Sequence, residues 1–278
     1  MINTQHAMKR AEKLKLEILE KRRGVVDGKL YYNGEMREYA FLDNTACQVP
    51  ILVDGVTYPS TEHYFQSQKF VGTPIEEKIR TTIDPVEAKK IGTSSSGLRS
   101  DWDTAKVDVM LKAISAKFDQ HNKLRYKLLD TIPCRLIVAH VKDAYWGNGI
   151  DDTGKNVMGK ILTTVRDAYL KQGESKKSIA HITLHRAMDA DRRRLDTKEC
   201  LALYKEGIKN LLSAAEYMPS LDQNRSIRLV EKLFERVREL QHIQSDQDIP
   251  VIPASLVEFV NPSAPTLPVA NVIPNPRE

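Results

Sequence analysis

Three polar side chains fall in one line within the stretch Tyr58-Pro59-Ser60-Thr61-Glu62-His63-Tyr64-Phe65-Gln66-Ser67-Gln68-Lys69-Phe70. Glu62, Gln66 and Lys69 stand at i, i+4 and i+7, the spacing of one helix face. Tyr64, Phe65 and Phe70 give the same short helix apolar surface on more than one side. A polar line on a largely buried helix must find partners, because burying unpaired charge is costly. The helix rise separates Glu62 and Lys69 by about 10 Å, too far for a simple ion pair but close enough to converge on one small ligand. A carboxyl there can carry a proton, and a desolvated amine can act as a nucleophile. An exposed stripe on an ordinary amphipathic helix would show the same spacing.

A second set lies in the stretch from Ala144 to Lys160. Gly147, Gly149 and Gly154 let the backbone approach a ligand. Trp146 offers a flat face for stacking, and Asp151 and Asp152 supply carboxylates. Asn156 stands at a helix entry, where free N–H groups suit a phosphate or ribose oxygen. The dinucleotide pattern G-x-G-x-x-G fails because Asp152 occupies the third glycine, and no Gly-Lys-Ser/Thr of a P-loop follows. A tight surface turn with a capping Asn reads the same way. In a third stretch, Ser94 to Asp103, Arg99 can hold a phosphate bidentately and Trp102 can stack on a base. A capped helix start anchored by Asp101 is the alternative. His181 and His185 are four apart but lack the glutamate of a zinc-protease motif and a third ligand, so no metal and no cofactor is expected. No Gly-x-Ser-x-Gly elbow is present.

These side chains need elements to hold them. Helices are expected at 6–23, 60–71, 74–81, 84–91, 101–119, 122–130 and about 156–171, then at 197–215 and 224–243. Short strands are expected at Leu30–Tyr32, Val49–Val53, Val56–Tyr58 and Leu136–Ala139, with Asn33-Gly34 and Asp54-Gly55 as hairpin signals. The fold class is α+β and mainly helical, a compact domain with a few short N-terminal strands and a helical C-terminal appendage. The expected divisions are a basic helix (1–28), the main domain (29–172), the appendage (173–246) and a Pro-rich extended tail (247–278). In the last helix Ile227, Val230, Leu233, Phe234, Val237 and Leu240 form an apolar stripe for a core, or for self-association through 197–243.

Bulk properties narrow the classes further. Hydrophobic residues make up 41% of the 278, enough for a sizeable core. No apolar run is long enough for a transmembrane helix, so no membrane partner is expected. Three scattered cysteines and an N-terminus without an apolar leader segment point to the cytoplasm. The net charge is +5, and residues 1–23 hold seven basic and three acidic side chains. The middle of the chain is therefore not a strongly basic nucleic-acid module.

Three ordered sets of residues resemble the NADAR (YbiA-like) N-glycosidase family. The first is Asp54-Gly55, Tyr58-Pro59-Ser60, Glu62, Gln66 and Lys69-Phe70. The second is Arg99, Trp102-Asp103, Lys106, Met110 and Lys117-Phe118. The third is Trp146-Gly147, Gly149, Asp151, Gly154, Asn156 and Gly159. The match runs from about residue 39 to 171. Three positions, Asp43, Thr45 and Asp152, depart from the family. Phe41-Leu42-Asp43-Asn44-Thr45 stands where Leu-Ser-Asn-Phe is usual, keeping Asn44, and Asp152 replaces a glycine.

The resemblance implies an enzyme that cleaves a ribose–base N-glycosidic bond. Its implied substrates are ADP-ribosylated guanine in a nucleotide or DNA, or phosphorylated riboflavin-biosynthesis intermediates. It also implies a lysine-imine route, with Lys69 at the matching position. Glu62 and Asp151 are then the carboxylates for proton transfer or water activation. Asn44, Gln66, Arg99, Trp102, Trp146, Gly147, Gly149 and Asn156 become the substrate contacts. A nucleotide-binding module without turnover would use the same pocket.

Overall fold

The structure is a computed structural model that describes residues 24–150 and 152–241. The expected helix at 6–23, the tail from 247 and Asp151 lie outside the described residues. Two compact units divide the chain. Among the described residues, the first holds 24–124 together with Thr131–Val165, and the second holds Arg125–Asp130 and 166–241.

In the first unit, strands β1 (Gly24–Val26) and β2 (Lys29–Tyr32) pair antiparallel. The residues between them, Asp27 and Gly28, both have positive φ (48° and 69°), as a two-residue hairpin turn requires. The hairpin is therefore set at Asp27-Gly28 and not at Asn33-Gly34. The Asn33 carbonyl and side chain instead accept from Met36 and Glu35, forming a turn after β2. Strands β3 (Ile51–Val53) and β4 (Val56–Tyr58) make a second hairpin around Asp54 and Gly55, again with positive φ. Strand β5 (Arg135–Val138) joins β2 in parallel, with Leu30 opposite Leu136 and Tyr32 opposite Val138. The three-stranded order is β1-β2-β5.

Five helices complete that part of the sequence: α1 (Thr61–Ser67), α2 (Pro74–Thr81), α3 (Pro85–Ser94), α4 (Trp102–Gln120) and α5 (Asn122–Leu129). Pro74 and Pro85 open their helices, where a missing N–H costs nothing. Helix α1 is buried at every position because α2, α3, α4 and β4 pack around it. Its N-cap, Ser60, accepts from His63 N and contacts the His63 ring at 2.7 Å. After Ser67 the chain tightens into a 3-10 turn, Gln68–Phe70, so Lys69 does not continue the α-helix of Glu62 and Gln66.

Helix α6 runs unbroken from Val157 to Arg192, well past the expected end near 171. Gly173 does not stop it. A β-carbon there would come within 2.6 Å of the Tyr217 carbonyl, so this glycine serves a close approach rather than a boundary. In the second unit α7 (Thr197–Ala215) and α8 (Ser220–Gln241) pack along each other. The stripe Ile227, Val230, Leu233, Phe234, Val237 and Leu240 joins one apolar cluster with Ile208, Leu211 and Leu184. The face expected for self-association is thus covered by this chain's own helices. No described helix is long and apolar enough to cross a membrane.

Candidate active site

A cavity of about 300 Å³ opens in the first unit. Helix α1 forms one wall with Glu62, Phe65 and Gln66, and Lys69 follows from the 3-10 turn. Helix α3 contributes Lys89 and Thr93, a pair four residues apart on one face. Leu42, Asp43, Asn44 and Thr45 come from the loop before β3. Tyr32 and Val138 are the ends of the paired strands, and His140, Asp143, Trp146 and Gly147 follow β5.

Glu62 is 5% exposed and Lys69 is 9% exposed. Burial pushes the Glu62 carboxyl above the usual carboxylate range, against the pull of the Gln66 donor and of Lys89. Burial likewise lowers Lys69, and the Glu62 charge only partly opposes this. Both shifts run toward the neutral forms, a carboxylic acid and an amine in one cavity. The Lys69 Nζ donates to the Gly92 carbonyl at 3.2 Å and lies 5.6 Å and 5.7 Å from the rings of Phe65 and Trp102. Gln66 Nε2 donates to Glu62 Oε1 at 2.7 Å. Gln66 Oε1 and the Tyr32 hydroxyl are buried with no hydrogen-bond partner.

Asn44 is held from two sides. Its Oδ1 accepts from Thr61 Oγ1 at 3.0 Å, and its Nδ2 points to Met110 Sδ at 3.2 Å. The flanking Asp43 folds its own loop, since Asp43 Oδ1 accepts from Thr45 N, Thr45 Oγ1 and Ala46 N. Asp43 and Thr45, two of the departures from the family pattern, therefore make one self-contained turn that presents Asn44. Lys117, fully buried, donates to the Asp43 carbonyl at 3.1 Å and anchors that turn from below.

The aromatic wall is built on Phe65. Trp102 packs against it at 5.0 Å and Trp146 at 5.4 Å, edge to face. Trp146 lines the cavity, while Trp102 stands behind Phe65 and Lys69. Asp143 Oδ1 accepts from the backbone N–H of Tyr145 and Trp146 and sets the loop. At Gly147 a β-carbon would press on His140 Cβ at 2.9 Å, so glycine lets these two strands of the loop meet. Gly149 has φ +68° and does not line the cavity.

Other expected contacts lie elsewhere. The Arg99 guanidinium is paired bidentately with Asp101 at 2.5 and 2.7 Å, on the surface and outside the lining. Asn156 spends its amide on strand β5: Oδ1 accepts from Val138 N at 3.0 Å and Nδ2 donates to Leu136 O at 2.8 Å. It pins β5 to the start of α6 and faces away from the main cavity. Asp152 has φ 64°, which explains why glycine is usual there, and is tied down by Tyr31 and Asn148. Sequence reasoning did not reach Tyr32, Lys89, Thr93, His140, Asp143 or Gly92. The i, i+4 pair Lys89 and Thr93 carried a usable signal. The others are defined only by tertiary approach.

Comparison with known proteins gives a consistent set of relatives. A family described as the NADAR domain matches residues 30–169. The N-glycosidase YbiA of Shigella flexneri is 44% identical over 131 residues, covering 47% of this chain and 81% of that protein. The chloroplastic riboflavin biosynthesis protein PYRR of Zea mays is 37% identical over 128 residues, covering 42% of this chain and 20% of that protein. Among solved structures, the NMR structure of Escherichia coli YbiA is 38% identical, with a TM-score of 0.47, covering 54% of this chain and 90% of that one.

Proposed function

The chain belongs to the NADAR domain family, and from that membership we propose an N-glycosidase that removes ADP-ribose from guanine in ADP-ribosylated nucleic acid. The observation that carries the chemistry is the juxtaposition of Glu62 and Lys69 in one cavity, both buried and both driven toward neutrality. A volume of about 300 Å³ suits a ribose with its base, and the exposed Lys89 and His140 at the rim leave room for phosphates beyond it.

The reaction follows from those groups. The Lys69 amine attacks the anomeric carbon as the bond to the base breaks, and the base leaves with that electron pair. The Glu62 carboxyl gives the departing base its proton and becomes a carboxylate. The carboxylate then takes a proton from the nitrogen of Lys69 and passes it to the ring oxygen as the sugar ring opens to a protonated imine, and it regains a proton when water adds to the imine carbon. Water adds to the imine carbon, and Lys69 is released as the amine. The net change is addition of one water across the ribose–base bond. Trp146 and Phe65 wall the base, and Asn44 and the Tyr32 hydroxyl stand ready for sugar oxygens.

A second reading has its own support. The identity to proteins named for riboflavin biosynthesis favours a phosphorylated intermediate of that chemistry as substrate. Both substrates present a ribose–base bond to the same cavity. One side-by-side assay separates them: ADP-ribosylated DNA and the riboflavin intermediate are each incubated with the protein, and mass spectrometry follows free ADP-ribose from the first and free base from the second. The expected outcome is release of ADP-ribose from ADP-ribosylated DNA, which keeps its guanine, a covalent adduct on Lys69 after borohydride, and loss of both in Lys69→Ala. Release by Lys69→Ala at the full rate would sink the imine route. Binding of either substrate without cleavage of its ribose–base bond would make the domain a recognition module.

A further inference from the structure

Gln66 presents an oddity that substrate contact does not explain. Its Nε2 donates to Glu62, but its Oε1 is buried and has no hydrogen-bond partner. A buried acceptor left unpaired calls for a reason. This oxygen is not turned to open space, because it lies only 2.1 Å from where a β-carbon of Gly92 would stand. The Gln66 β-carbon and amide carbon would each be 2.9 Å from that same position. The missing side chain of Gly92 is therefore the room in which the Gln66 amide sits, and α3 can approach α1 this closely only with glycine there.

An amide end has one donor side and one acceptor side. The donor side serves a Glu62 carboxylate. A half-turn of the same amide brings Oε1 to Glu62, where it accepts from the protonated carboxyl. We propose that Gln66 is a positioning residue that serves Glu62 in both of its protonation states by turning its amide, and that Gly92 supplies the space for the turn. This rests on the reading of Glu62 as the proton carrier of the reaction. A residue that must give a proton in one step and recover it in another needs a neighbour that stabilises both forms. A fixed donor would favour only the carboxylate, and a fixed acceptor only the acid.

Gly92 has a second part in the device. It lies in the last turn of α3, and its carbonyl accepts from Lys69 Nζ. One backbone position thus touches the partner of the acid and holds the amine. The charged groups acting on Glu62 are Lys89 from α3, Asp43 from the loop before β3, and Lys69. His140 and Asp143 face the same cavity from the loop after β5. Lys89 and Lys69 offer donors only, whereas the Gln66 amide, already hydrogen-bonded to Glu62, offers both a donor and an acceptor.

The test reads Glu62 directly in the unliganded protein. The carboxylic carbonyl band of protonated Glu62 is followed by infrared spectroscopy against pH and is assigned by its absence in Glu62→Gln. In the wild type, the side-chain 15N resonance of Gln66 should shift with the same midpoint as that band. In Gln66→Met, close in volume but unable to donate, the carboxylate loses its donor, so the band should persist to higher pH. Gly92→Ala, which crowds the amide, should move the midpoint the same way and lower kcat by about tenfold or more. Thermal melting identifies folded variants, and the Gln66→Met midpoint decides if Gly92→Ala does not fold. A Glu62 midpoint unchanged in folded Gln66→Met, or a Gln66 resonance that ignores the Glu62 titration, overturns the proposal. Because the spectra need no substrate, a failure here is distinct from absence of glycosidase activity.

Discussion

At the scale of single residues, the site trades stability for reactivity. Glu62 is buried, and its carboxyl is held above its ordinary value of 4.5 by desolvation. The unfolded chain ionises this group freely, while the folded chain resists. Its contribution to stability is therefore full below about pH 4.5 and is lost as the pH rises through the higher folded value. Glu62→Gln, which is neutral at every pH, should melt higher than the wild type near pH 7. The two should converge as the pH falls toward 4, as calorimetry at several pH values would measure. The same substitution should abolish base release. A difference that grew on acidification would contradict the assigned direction. Lys69 reaches the cavity from the 3-10 turn that follows α1, while the pair Glu62 and Gln66 was legible in the sequence because helical spacing aligns it. The unpaired Gln66 oxygen and the Gly92 wall were not, since a glycine used for close approach leaves no periodic mark.

At the scale of elements, the same residue type does different work depending on what packs beside it. Asn44 and Asn156 both read from sequence as sugar or phosphate contacts. Asn44 is held by Thr61 and Met110 so that its turn lines the cavity. Asn156, at φ 48°, is turned onto β5 and satisfies Val138 N and Leu136 O. No local pattern distinguishes the two, because the direction of each amide is set by an element distant in sequence. Asn156→Ala removes two hydrogen bonds to a buried strand and should cost about 2–4 kcal/mol of stability. Urea denaturation would measure this loss, and KM should change little. A large rise in KM with unchanged stability would return Asn156 to the substrate contacts. The long α6 teaches a similar lesson. Gly173 reads as a break in sequence, yet its bare α-carbon is what lets Tyr217 pack against an unbroken helix.

At the scale of the whole molecule, the first unit carries the cavity and the second carries a separate apolar cluster. The amphipathic period of α8 announced that cluster, but not which helices would cover it. Leu211 is 1% exposed within it. Leu211→Ala should cost about 2–5 kcal/mol, measured by thermal or urea unfolding. It should leave kcat/KM for base release unchanged at temperatures where the chain is folded. A matching fall in activity would tie the second cluster to catalysis. The aromatic wall has an optical consequence. The chain contains two tryptophans, Trp102 and Trp146, and both pack on the single ring of Phe65. The tryptophan emission of all 278 residues is thereby concentrated on one side of the cavity. With excitation selective for tryptophan over tyrosine, quenching or a colour change in that light reports on Phe65, Lys69 and whatever occupies the space before them, while the second unit stays dark.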